Sequence, residues 1–155
     1  MTAATGRYPR GLLDTSAVIA LSRLTTPEQL PDEPLITAVT LAELSVGPLV
    51  ASTDEERAAR QAHVQQAEAD FDPLPFDAHA ARAFGRVAVS LRRAGQTVKA
   101  RAYDAMIAAT ALAHDLPVYT CNPRDFEGID GLVVVEVNVS GDVTGAPGGS
   151  PRKGR

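Results

Sequence analysis

Short apolar runs that alternate with longer helix-like segments are the feature that most restricts the fold of this chain. The runs are rich in Leu, Ile and Val, and the longer segments have helical caps and periodicity. Strands that alternate with helices indicate an α/β fold with a central, mainly parallel sheet flanked by helices. The predicted strands are residues 11–14, 35–39, 117–120 and 131–137, and the predicted helices are residues 15–24, 40–48, 52–71, 77–95 and 100–115.

The length of 155 residues fits one domain. We predict that this domain covers residues 1–139. Residues 140–155, SGDVTGAPGGSPRKGR, hold five glycines and two prolines. This composition predicts a disordered tail, because it offers little apolar surface to bury.

Cysteine usage and hydropathy exclude several classes of protein. Cys121 is the single cysteine, so an internal disulfide and a cysteine-based zinc site are both excluded. No apolar run approaches the ~20 residues that a membrane helix requires. We therefore expect a cytoplasmic protein that does not associate with a membrane.

Four acidic residues lie where the predicted strands end or where the helices beside them begin. Asp14 ends the first strand, and Asp125 lies in the loop after strand 117–120. Glu43 is predicted in the first turn of the helix after strand 35–39, and Asp104 near the start of helix 100–115. In open parallel sheets ligands bind beyond the carboxyl ends of the strands, so all four are candidate site residues.

Each of the four acids also has a purely structural explanation. Asp14 is a possible helix cap, and Thr40 with Glu43 has the spacing of a capping box. Asp104 suits the positive end of a helix dipole, and Asp125 suits a turn. Taken together, however, clustered carboxylates repel one another unless cations are present. A set of oxygen ligands without His or Cys is typical of a Mg²⁺ or Mn²⁺ site.

A basic segment precedes Asp104. Residues 82–101 hold six basic residues and no acidic one, and the net charge of the chain is −4. Taken alone, this segment is typical of a solvated helix face.

The segments LLDTSAVIAL, TLAEL, DAMIAATA and TCNPRDFEGI resemble, in this order, the four motifs of PIN-domain proteins. The resemblance extends from about residue 11 to about residue 139 and is strongest to the VapC toxins of toxin–antitoxin pairs. It implies a Mg²⁺- or Mn²⁺-dependent endoribonuclease with an acidic pocket at the strand ends. It also implies a cognate VapB-like antitoxin and a homodimer. Because RNA requires positive charge near the acidic pocket, the resemblance adds a second interpretation of residues 82–101, a surface that binds the RNA backbone. The candidates for RNA binding are Arg92, Arg93, Lys99 and Arg101.

The resemblance assigns roles to individual residues. Asp14, Glu43 and Asp104 match the acids of the first three motifs, with Asp14 and Asp104 as principal metal ligands. Either Asn122 or Asp125 corresponds to the fourth position. The residues expected to support the pocket are Thr15, Ser16, Thr120 and Asn122.

The fourth motif departs from the family pattern, because TCN replaces the more usual TRN and removes a basic residue that would contact phosphate.

Two other functions are consistent with parts of the sequence. A haloacid-dehalogenase-like phosphohydrolase would use Asp14 as a nucleophile, but such enzymes usually carry a second Asp where this chain has Ser16. A non-catalytic PIN-fold module would bind RNA or a partner protein without cleaving RNA. Cleavage of RNA with and without a chelator distinguishes this module from the nuclease.

Overall fold

Four parallel strands form a sheet in the order β2–β1–β3–β4 in the computed structural model, which describes residues 7–139. The predicted parallel α/β architecture is therefore confirmed. The strands are β1 (Arg10–Leu13), β2 (Glu33–Leu35), β3 (Val118–Thr120) and β4 (Val134–Glu136). The helices are α1 (Thr15–Ala20), α2 (Ala38–Val46), α3 (Asp54–Asp70), α4 (Ala78–Arg93) and α5 (Ala102–Ala113).

Two further predictions concern membrane association and the C-terminal residues. Within residues 7–139 no helix combines the length and hydrophobicity needed to cross a bilayer. The location in the cytoplasm stays a prediction. The predicted tail, residues 140–155, lies outside the described residues.

Both faces of the sheet are covered at its two central strands, which explains why residues 11–13 of β1 and all of β3 are buried. Successive side chains of a strand point to opposite faces. Leu12 and Val118 pack in the cluster that contains residues of α4 and α5. Leu13 and Tyr119 pack in the second cluster, with residues of α1, α2 and α3. The sheet therefore separates two hydrophobic layers.

The second strand and the helix after it begin earlier than predicted. Strand β2 ends at Leu35 instead of continuing to residue 39. Thr37 caps α2 by accepting a hydrogen bond from the Thr40 amide, so Ala38 and Val39 are helical. Glu43 consequently lies in the second turn of α2, and Thr40 is a buried helical residue instead of the predicted cap.

The strand order places the candidate acids at one edge. Because all strands are parallel, Asp14 after β1 and the loop after β3 meet at the carboxyl edge of the sheet. Strand β1 lies between β2 and β3. The chain therefore adds β2 on one side of β1 and the later strands on the other, so the strand order reverses between β1 and β3. Helix α5 precedes β3 and runs back across the sheet, so its first turn, with Asp104, lies at the same edge. This is where open α/β sheets bind ligands.

We predict that Gly11→Ala destabilises the protein by about 1 to 3 kcal/mol, because overpacking a filled core costs this much. A Cβ at Gly11 would overlap the ring of Tyr119, which is 1% exposed. Urea unfolding of both proteins measures the difference. The control is Gly85→Ala in α4, where a Cβ meets nothing within 4 Å. This control should gain about 0.5 to 1 kcal/mol. Equal stability of Gly11→Ala and the wild type would contradict the packing argument.

Candidate active site

Asp14 is a buried carboxylate, 3% exposed, that joins β1 to α1. Its Oδ1 accepts hydrogen bonds from the Ala17 amide at 2.9 Å and from Ser16 Oγ at 2.7 Å. Its Oδ2 accepts one from Thr120 Oγ1 at 2.6 Å. Asp14 is therefore the N-cap of α1, and it is also tied to the end of β3.

The two hydroxyls that donate to Asp14 are themselves held by backbone amides of the loop after β3. The Cys121 amide donates to Ser16 Oγ at 3.0 Å, and the Asn122 amide donates to Thr120 Oγ1 at 3.0 Å. Each hydroxyl therefore accepts from the backbone and directs its own proton to Asp14. Burial raises the pKa of the Asp14 carboxyl, and these hydrogen bonds lower it in part.

Glu43 reaches the site from α2 and is oriented by Thr15. Thr15 Oγ1 donates to Glu43 Oε1 at 2.8 Å and lies 3.2 Å from Thr40 Oγ1. Burial raises the pKa of Glu43, and the charge of Asp14 raises it further, whereas the bond from Thr15 lowers it. Because Thr15 follows Asp14 directly, one turn of chain positions both acids.

Asp104 carries the strongest electrostatic perturbation of the four acids. Burial raises its pKa to about 6, and the charges of Asp125, Glu43 and Asp14 also raise it, while Arg101 lowers it. Among the described residues no side chain or amide donates a hydrogen bond to the Asp104 carboxylate. The mutual effects show that the structure brings the four acids within electrostatic reach of one another.

The loop after β3 treats its two candidate residues differently. Asp125 lies in the 3-10 turn Pro123–Phe126, is half-buried, and its charge raises the pKa of both Asp14 and Asp104. Asn122 is exposed, and its contact with the site is the backbone bond to Thr120. The geometry therefore favours Asp125 over Asn122 as the site residue of the loop after β3.

Two of the four basic candidates lie beside the acids. Lys99 and Arg101 line a depression of about 380 Å³ together with Glu43, Tyr103 and Asp104. Arg101 is held in place because its Nη1 donates to the Arg124 carbonyl at 2.7 Å. Arg92 and Arg93 lie one loop earlier, in the last turn of α4.

The donor set fits a hard divalent cation by its chemistry. All four acids offer carboxylate oxygens, which Mg²⁺ and Mn²⁺ prefer. In the described part of the chain, however, no three acidic, His or Cys side chains are already arranged as ligands of one ion. The free oxygens of Asp104 and Asp125 would therefore have to approach Asp14 when an ion binds.

Two side chains of the site were absent from the sequence predictions. Tyr103 is 58% exposed in the depression, and the sequence signal for it was an aromatic residue directly before Asp104. Thr40 is fully buried and supports Thr15. No signal separated Thr40 from a helix cap, because Thr suits both positions.

Comparison with known proteins identifies related chains. The family model described as PIN domain matches residues 11–132. Ribonuclease VapC5 of Mycobacterium tuberculosis is 42% identical over 129 residues, which cover 82% of this chain and 93% of that protein.

Solved structures of VapBC complexes also resemble the chain. The structure described as VapBC-5 from Mycobacterium tuberculosis, a member of the VapBC family of toxin–antitoxin systems, matches with a TM-score of 0.70 and 40% identity. This match covers 84% of this chain and 99% of that chain. DNA-bound VapBC from Salmonella typhimurium matches with a TM-score of 0.65 and 27% identity, and covers 83% and 98% of the two chains.

We predict that Asp104→Asn stabilises the protein at pH 7 in the presence of a chelator. The folded-state pKa of Asp104 is raised from 3.8 to about 6, so the folded chain binds the proton more tightly than the unfolded chain. Stability therefore falls as pH rises through this range, and the loss persists above it. The side chain is partly exposed, so screening reduces the expected gain to about 1 kcal/mol.

Thermal or urea unfolding between about pH 4 and pH 7 measures this effect, and the gain should vanish at the acidic end. Asp77→Asn is the matched control. Hydrogen bonding to the Ala80 amide lowers the pKa of Asp77, so removal of its charge should give no gain. If Asp104→Asn were less stable than the wild type at pH 7, a helix-dipole role for Asp104 would explain it better.

Proposed function

The chain belongs to the PIN-domain family, within its VapC group, and from this premise we propose that it is a metal-dependent endoribonuclease that acts as the toxin of a toxin–antitoxin pair. The observation that carries the proposal is the convergence of Asp14, Glu43, Asp104 and Asp125 at the carboxyl edge of the sheet, where neighbouring carboxylate charges raise the pKa values of the first three. The relative named Ribonuclease VapC5 supports RNA as the substrate.

The proposed metal ligands follow from which oxygens remain available. Asp14 and Asp104 are the principal ligands, and Glu43 and Asp125 complete the set or orient water. Asp14 Oδ2 accepts one hydrogen bond in the described structure and keeps a free lone pair. Bound Mg²⁺ or Mn²⁺ would lower the pKa of a water molecule and neutralise charge on the phosphate.

The residues of the chain contribute orientation and a prepared charge. The two hydroxyls of Ser16 and Thr120 hold Asp14 in one rotamer, so its oxygens need not reorganise during the reaction. Thr15 does the same for Glu43. Ser16 is fully committed to this structural role, which argues against it as a covalent nucleophile.

The depression beside Asp104 offers contacts for RNA. Lys99 and Arg101 provide positive charge for a phosphate next to the carboxylates. The exposed ring of Tyr103 provides a face on which a base can stack. These three residues would keep the substrate at the acidic site despite the negative charge there.

A protein partner is the second part of the proposal. The resemblance to VapBC structures supports a VapB-like antitoxin, and the proposal includes a homodimer. Val46 at the end of α2 is 51% exposed, and Leu49 and Val50 in the 3-10 turn that follows are 85% and 64% exposed. Such an apolar patch on the surface suits contact with a protein. The haloacid-dehalogenase-like alternative lacks support, since the matching family model is the PIN domain.

We predict that the purified protein cleaves RNA with Mg²⁺ or Mn²⁺ and that EDTA stops cleavage. Asp14→Asn and Asp104→Asn should each reduce the rate by at least about 100-fold, the effect of removing one electrostatic stabiliser. Because Asn is as good an N-cap as Asp, Asp14→Asn should stay folded, which circular dichroism verifies. Asp77→Asn, an exposed cap remote from the site residues, is the control and should cleave normally.

Metal binding has a separate readout. Mn²⁺ should raise the melting temperature of the wild type, because it binds the folded state, and should raise that of Asp104→Asn much less. A wild type that binds RNA, is not stabilised by Mn²⁺ and never cleaves would establish the non-catalytic alternative.

We predict that the antitoxin inserts an Arg or Lys side chain near Asp14 or Asp104. A carboxylate cluster attracts cations, and a guanidinium binds a carboxylate through two hydrogen bonds. The structure of the complex, together with nuclease assays of a charge-neutral antitoxin variant, tests this. A bound antitoxin without a cationic side chain near these two acids would refute this mode of inhibition.

A further inference from the structure

Helix α4 carries a line of arginines that the proposed catalytic site does not use. Arg82, Arg86 and Arg93 are spaced by four and seven residues, so they project from one side of the helix. With Val89 they line a groove of about 710 Å³, whose other wall includes Asp115 and Asp130. At 1.5 Å rise per residue the line is about 16 Å long.

These arginines are not neutralised by the protein. Within residues 7–139 none of the three forms an ion pair, and α4 itself contains no acidic residue. Asp115 and Asp130 face the groove without pairing with them. Guanidinium groups that are free to donate two hydrogen bonds are the preferred protein ligands of phosphate.

Gly85 lies in the same groove and lacks an explanation within the chain. A glycine in the middle of a helix is destabilising relative to alanine. A Cβ at Gly85 would meet nothing within 4 Å, so the packing of this protein does not require glycine. An external ligand that lies close against the helix between Arg82 and Arg86 would require it.

The groove is continuous with the candidate active site along the chain. Helix α4 ends at Arg93, and the following segment reaches Lys99 and Arg101, which line the depression with Asp104. Since α5 begins where this segment ends, the last turn of α4 and the first turn of α5 lie at the same end of the helix pair. Positive charge thus extends from the carboxylates along α4.

We infer that the groove along Arg82, Arg86 and Arg93 binds the backbone of single-stranded RNA beyond the bond that is cut. This inference rests on the proposed ribonuclease function. A stacked strand carries a phosphate about every 3.4 Å, so the line of arginines passes several phosphates. Among residues 78–93 of α4, Val89 is the one large apolar side chain that is exposed. A surface with so little exposed apolar area favours a polyanion over a protein partner.

The test measures binding of a fluorescent single-stranded RNA in EDTA, where cleavage is suppressed, over a series of salt concentrations. Affinity falls with salt, and each lost phosphate contact reduces the magnitude of the slope of log affinity against log salt by about 0.7 for a single strand. Arg93→Ala should reduce this magnitude by about 0.7, and the triple change of Arg82, Arg86 and Arg93 to Ala by about 2. Arg57→Ala in α3 is the control, because Arg57 is also an exposed helical arginine, but it pairs with Asp54 and does not line the groove.

Cleavage assays separate this inference from the proposed function. With Mn²⁺, the triple variant should show a raised KM for long RNA and normal cleavage of a tetranucleotide that occupies the depression alone. If the triple variant had the same salt slope and KM as a wild type that cleaves RNA, RNA binding in the groove would be refuted and the ribonuclease function would stand. The same conclusion would follow from a triple variant that binds RNA normally but changes its oligomeric state in light scattering. If the substitutions reduced the salt dependence of RNA binding but the wild type never cleaved RNA, RNA binding in the groove would stand and the ribonuclease function would be refuted.

Discussion

The hydrogen bonds around Asp14 are the interactions on which both the fold and the candidate site depend. The carboxylate caps α1 by accepting a hydrogen bond from the Ala17 amide. It also accepts hydrogen bonds from the hydroxyls of Ser16 and Thr120, so it connects β1, α1 and β3. A buried carboxylate without such donors would be strongly disfavoured. The structural explanation of Asp14 as a cap and its proposed role as a metal ligand are therefore compatible, because the cap fixes the ligand.

The other acids are held less tightly, and this difference is physically meaningful. Glu43 has one donor in Thr15, and Asp104 has none among the described residues. Their charges repel each other in a half-buried site, and the protein offsets this only in part through Arg101. The site thus combines one fixed carboxylate with others that have freedom to close around a cation. Such an arrangement stores unfavourable electrostatic energy that a bound cation would release.

Much of the fold could be predicted from the sequence, because local signals and burial agreed there. The run GLL before Asp14 is apolar on both faces of a parallel strand, and the observed β1 ends at Leu13. The predicted start of α2 was wrong: three of the five residues 35–39 are β-branched and indicated a strand, but Thr37 caps the helix, so Ala38 and Val39 are helical. The hydrogen bonds that join the end of β3 to the start of α1 could not be predicted, because the pairs Cys121–Ser16 and Thr120–Asp14 lie 105 and 106 positions apart. The choice between Asn122 and Asp125 stayed open in the sequence for the same reason.

Two chains of hydrogen bonds run from amides of the loop after β3, through the hydroxyls of Ser16 and Thr120, to Asp14. They also couple local opening of this loop to local opening of α1. The amides of Ala17, Cys121 and Asn122 all end, directly or through one hydroxyl, on the same carboxylate. Loosening the loop would release Ser16 and Thr120 and would weaken the cap of α1 at the same moment. These three amide protons should therefore exchange with solvent deuterium as one cooperative unit, although they belong to segments far apart in the chain. The acidic edge of the sheet would then open and close as a whole, on a timescale that hydrogen exchange can follow.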